Sequence, residues 1–145
     1  MPDDKRPRES LARTRAFARG DLDVAGEIRR RFVESDAARD VGDLAAAAAA
    51  RAAKQASGVA HMGAHALGAA AYAAYAAGLA APEQPDAAGE IRWQHAHAPE
   101  SVRTALRQLP PLGENRSGPL GRGLLASGVL GAVIRDLQSK LNESV

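Results

Sequence analysis

His61 and His65 stand four residues apart in an alanine-rich stretch, and on a helix that spacing puts both imidazoles on one face, where they could grip a single metal ion. Zinc takes four such donors in a tetrahedron, so two more are needed. His95 and His97 could supply them, which makes His61, His65, His95 and His97 one candidate metal set. No glutamate lies between His61 and His65, so the hydrolytic arrangement of a helical metalloprotease is missing. The competing expectation, which we adopt, is that these imidazoles hydrogen-bond neighbouring helices or face the surface, with no bound metal and no cofactor.

The same helical stripe takes in Lys54, His61, His65, Gly68, Tyr72, Tyr75 and Leu79, a polar and aromatic ridge on a helix otherwise built of alanine. Binding surfaces favour such groups. Together with Trp93, the sole tryptophan, His61, His65, Tyr72 and Tyr75 are therefore candidate partner-binding residues. Aromatics make up only 3% of the chain, so the core must also claim some of them.

Catalysis finds little support. Ser57 is the serine nearest the histidines, and no strand-turn-helix elbow surrounds it. Gly58, Gly63 and Gly68 lie inside a helical stretch, without the preceding strand or the Lys-Ser/Thr ending of a phosphate loop. They read better as places where a neighbouring backbone approaches closely. We assign no catalytic residue and expect a protein that is not an enzyme.

Composition narrows the class further. There is no cysteine, which excludes disulfides, thiolate metal sites and cysteine nucleophiles and suits a reducing compartment. The opening Met1-Pro2-Asp3-Asp4-Lys5-Arg6 is charged and leads into no apolar run, unlike a secretory signal, so a cytoplasmic location is expected. The uncharged stretch from Gln55 to Ala81 owes its apolarity to alanine and carries His61, His65 and several glycines, too weak for membrane insertion. Net charge is +2, from 19 basic and 17 acidic residues mixed along the chain. With so few aromatics to stack on bases, and Arg29-Arg30-Arg31 as the one basic run, no nucleic-acid partner is expected.

The elements that must position these residues are helices throughout. Pro7 opens a first helix and Gly20 stops it. Asp21 is the expected cap of a second, with Val24, Ile28 and Phe32 on one stripe and an end near Ser35 or Arg39. Asp43 should cap a long alanine-rich central helix over about residues 43–80, or a pair broken near Gly58. A helix over 87–98 carries Ile91 and Trp93, Pro99 restarts the chain as another through Leu109, and Pro110-Pro111 stops it. Residues 112–119 read as a loop and 120–142 as an amphipathic C-terminal helix, its first half weakened by Gly121, Gly123 and Gly128. The fold class is all-α, a compact multi-helix bundle in a single domain over 1–145.

Three blocks of the sequence resemble a known family. Asp4-Lys5-Arg6-Pro7-Arg8-Glu9 with Ala16-Phe17-Ala18-Arg19-Gly20, then the run from Ala60-His61-Met62-Gly63-Ala64-His65 to Tyr72-Ala73, then Glu90-Ile91-Arg92-Trp93-Gln94, are similar to the alanine-rich immunity proteins of bacterial polymorphic-toxin systems, the immunity-protein type-five-like group. The resemblance spans roughly residues 4–111. It implies an all-helical protein that neutralises a cognate toxin by direct binding, with His61, His65, Tyr72 and Trp93 at the family's corresponding positions. It also implies a helix preceding the first block, which this sequence lacks. The C-terminal stripe of Leu130, Ile134, Leu137 and Leu141 then has two ways to be covered: the groove such a helix would fill, or a second copy of the chain, giving a homodimer.

Overall fold

A computed structural model describes residues 4–30, 38, 42–81 and 87–143. Among them lie α1 (Arg6–Ala18), α2 (Val24–Arg30), α3 (Leu44–Gly58), α4 (His65–Ala80), α5 (Ala87–His97), α6 (Glu100–Arg107), a 3-10 turn (Leu124–Ala126) and α7 (Gly128–Glu143). The all-α expectation holds: the only β pairing among the described residues is an isolated bridge between Asn115 and Gly121. No helix among them is long and apolar enough to cross a membrane.

Local chemistry starts and stops most of these helices. Pro7 occupies the first turn of α1, the Asp4 carboxylate accepts from the Arg6 backbone N–H at 3.0 Å, and Gly20 turns the chain away at φ +81°. The cap of α2 is Asp23, not the expected Asp21. Asp23 Oδ1 accepts from the Gly26 N–H at 2.8 Å, because the turn at Gly20 delays the helix by two residues, while Asp21 pairs with Arg19 at 2.9 Å. Of the expected α2 stripe, Val24 is exposed and Ile28 half-buried, whereas Phe32, Arg31 and the helix end at Ser35 or Arg39 lie outside the described residues. Arg13 on α1 meets Glu27 on α2 at 2.5 Å, tying the two together.

Asp43 caps α3 as expected, extended at ψ 124° and accepting from the Ala46 N–H at 3.0 Å. Of the two arrangements open for the central segment, the chain adopts the pair. Helix breaks after Gly58 and resumes at His65, and α4 folds back antiparallel on α3, with Gln55 opposite His65 and Gly68. Alanine lets these helices pack tightly into the core: Ala48 on α3 and Ala71 and Ala74 on α4 are wholly inaccessible. On the far side of α3 lies α1, held there by Ser10, whose buried hydroxyl donates to the Ala53 carbonyl at 3.3 Å.

The other side of α4 carries α5 and α7. Ile91 buries against the core and the Gln94 side-chain amide donates to the Ala70 carbonyl at 3.2 Å, which docks α5. Pro99 ends α5 and begins α6, which packs on α7. The C-terminal helix is shorter than the expected 120–142. It begins at Gly128, itself at φ +56°, because glycines at 121, 123 and 128 favour turns over helix. Its stripe is as expected, with Leu130, Ile134, Leu137 and Leu141 all buried. They pack within the chain, chiefly on α4, so the stripe offers no surface for the homodimer considered from sequence.

Candidate functional site

The turn between α3 and α4 positions the histidines. His61 lies in that turn and His65 opens α4, so they do not share one helix face as the long-helix reading required. The hairpin nonetheless sets their rings 4.9 Å apart, tilted at 54°. Gly58 makes room for this: a Cβ there would stand 2.8 Å from the His65 ring. His65 Nδ1 lies 2.7 Å from Gln55 Oε1, and because a carbonyl oxygen only accepts, the neutral ring carries its proton on Nδ1 and leaves Nε2 as an acceptor. Gly68 receives that glutamine, since a Cβ there would meet Gln55 Oε1 at 2.7 Å and Leu125 Cδ1 at 3.0 Å. Gly63, by contrast, faces nothing within 4 Å, and what approaches Gly58 and Gly68 is side chain, not the backbone expected from sequence.

Two turns beyond His65 along α4, Tyr72 borders the same region. Gln55, His61, Met62, His65 and Tyr72 form one wall of a cleft of about 670 Å³. The facing wall is the loop ahead of α7, through Gly118, Pro119, Gly121, Arg122, Gly123 and Leu124, with Leu125 beneath. That loop is held firmly. Leu120 and Leu125 are buried on either side of Arg122, Gly123 and Leu124, which stay exposed between them. Gly113 N–H donates to the Leu120 carbonyl at 2.8 Å, and Gln138 on α7 clamps the stretch before it, donating to the Pro110 carbonyl at 3.0 Å and accepting from the Leu112 N–H at 3.1 Å. Gly118, at φ +87°, brings the loop against the Met62 sulfur. Leu124, 70% exposed, and Met62, 40% exposed, form an apolar rim.

The remaining candidates sit elsewhere. Tyr75 is half-buried, packed against the core, and does not line the cleft. Trp93 is 57% exposed on α5 and stacks on His97 at 4.4 Å between ring centroids, while His97 Nδ1 donates to the Trp93 carbonyl at 2.8 Å. Among the described residues no three of His, Cys, Asp and Glu gather as a metal ion would need, so the set of His61, His65, His95 and His97 is not assembled. The α3–α4 turn brings together one pair, and α5 holds the other.

Burial of the ring pushes the His65 imidazole below its ordinary value near 6.5, and neighbouring His61 adds to the shift. Folding therefore opposes protonation. Well above pH 6.5 His65 is neutral folded or unfolded, but as pH falls through 6.5 toward the depressed folded value the unfolded chain takes up the proton first, and stability is lost. We expect the melting temperature to fall between pH 7 and 5.5, and the fall to be shallower in His65→Asn, which keeps an N–H donor for Gln55. Equal slopes in the two proteins would contradict this.

Sequence reading found one wall of the cleft and missed the other. Gln55 carried no signal and Met62 none beyond adjacency to His61, and the Arg122 loop read only as a weak start to a helix. Its signal was the alternation of glycine with leucine over 118–125, which suits an anchored loop better than a helix.

Compared with known proteins, residues 1–101 match the family model described as Imm-5 like putative immunity protein. No curated protein and no solved structure matches the chain. The matched span includes the wall bearing His61, His65 and Tyr72, whereas the Arg122 loop lies beyond it.

Proposed function

The chain belongs to the Imm-5 like family of immunity proteins, and from that premise we propose that it neutralises a cognate toxin by binding it directly, without chemistry of its own. The observation that carries this reading is the cleft at the α3–α4 turn. It gathers three of the residues singled out in the sequence, His61, His65 and Tyr72, beneath a rim where Leu124 and Met62 stand exposed. A large apolar side chain left in water beside recessed polar groups is the anatomy of a contact surface, an apolar centre with specific hydrogen bonds. The exposed Trp93–His97 stack on α5 is a second aromatic patch for the same partner. Tyr75 serves the core. The reading places the protein with its toxin in the cytoplasm of a bacterium.

The test is to look for a toxin-like protein encoded beside the gene and to co-express the two. The wild-type chain should restore growth and co-purify with that protein as a stoichiometric complex. Leu124→Asp, at an exposed position, should leave the melting temperature unchanged and weaken the complex by at least about tenfold, as loss of a central apolar contact does. Failure of the wild-type chain to protect or to bind would overturn the reading. Full binding by Leu124→Asp would move the contact to another face.

A further inference from the structure

Among the described residues the cleft is lined by hydrogen-bonding groups and by no acid: Tyr72, His61, His65, Gln55 and Arg122 line it, and no described Asp or Glu does. Tyr72 is only 6% exposed, yet its hydroxyl makes no hydrogen bond to any described residue and is not sealed from solvent. A phenol so deeply placed ordinarily finds a partner, and Tyr72 lines the cleft. Arg122 stands exposed between its two leucine anchors and forms no ion pair among the described residues; Glu114 lines a second hollow with it. His65 spends Nδ1 on Gln55 and keeps Nε2 as an acceptor.

Resting on the immunity reading above, we propose that the cleft receives an acidic segment of the partner protein, with Tyr72 Oη and Arg122 donating to a side-chain carboxylate. A guanidinium and a phenol that line one cleft, with no acid among its described lining residues to neutralise them, select an oxyanion. Two further groups select a peptide over a free anion. His65 Nε2 accepts from a backbone N–H of the segment, and the Leu124–Met62 rim covers an apolar neighbour of the acidic residue. About 670 Å³ holds a few residues.

The probes are a capped hexapeptide alternating leucine and glutamate, the same peptide with glutamine for glutamate, and inorganic phosphate, each titrated into the full chain while the imidazole proton signals are followed. The glutamate peptide should shift the His61 and His65 signals and bind about tenfold tighter than the glutamine peptide, the size expected of a charge-assisted pair. Arg122→Gln and Tyr72→Phe should each remove most of that preference. Arg122→Gln changes an exposed loop residue, so it keeps the test valid if Tyr72→Phe disturbs the fold. Equal binding of both peptides, silence of the imidazole signals, or phosphate binding as tightly as the glutamate peptide would overturn the proposal. A toxin held by Arg122→Gln as tightly as by the wild-type chain would overturn the acidic-segment inference and leave the immunity reading standing. If the wild-type chain forms no toxin complex, that reading fails, and the peptide comparison alone decides the chemistry of the cleft.

Discussion

A chain cut after Gly118 should lose cooperative melting and enter aggregates, and Leu137→Asp in the full chain should do nearly the same. The cut removes Leu120, Leu125, Leu130, Val133, Ile134 and Leu137 from the core and uncovers the side of α4 on which they pack. Each such side chain contributes about 1.5–3 kcal/mol by leaving water, while a domain of this length has only about 5–15 kcal/mol in all. The loss of six of them is comparable to the whole. The point substitution acts differently. Leu137 is 5% exposed, and an aspartate there must either stay charged in an apolar site or take up a proton, at a cost of several kcal/mol added to the lost leucine. Thermal melts and size-exclusion chromatography check both. A soluble monomer melting with the full chain would show α7 to be dispensable, contrary to the packing described.

The second large effect concerns the alanine interface. Ala71→Leu should destabilise the protein by about 1–3 kcal/mol or more, although leucine is nearly as good a helix former as alanine. Ala71 is wholly inaccessible, in the core cluster with Ala48 and Ala74, so three added carbons must push neighbouring elements apart or adopt a strained rotamer. The matching control is Ala49→Leu, an exposed position on α3, where the same change should lie within about 0.5 kcal/mol of neutral. Denaturant midpoints measure the difference. If the two variants unfold together, the hairpin is looser than its alanine contacts indicate.

The three sequence blocks that carried the family resemblance each do a definable structural job. Asp4 and Pro7 start α1, Gly58 to His65 close the hairpin, and Ile91 with Gln94 dock α5 on α4. Trp93, the most conspicuous residue of the third block, points to solvent instead, because Ile91 and Gln94 take the inward positions on that short helix.

What the sequence by itself determined is what short-range chemistry controls. A proline cannot donate and fixes its φ, an aspartate reaches an N–H three residues on, and a glycine adopts a positive φ; hence α1, α3, α5 and α6 begin or end where Pro7, Gly20, Asp43 and Pro99 say. The stripe of Leu130, Ile134, Leu137 and Leu141 was equally legible, since helical period and burial are linked by geometry. Only the tertiary structure decided the rest. A run of alanine has no preferred face, so nothing local says whether it continues through Gly58 or folds back; packing of α3 on α4 made that choice and moved His61 off the helix. The cleft came from the same source. Its two walls are remote in sequence and meet because Leu120 and Leu125 are driven into a core that α4 and α7 build together, which leaves Arg122 and Tyr72 lining one cleft.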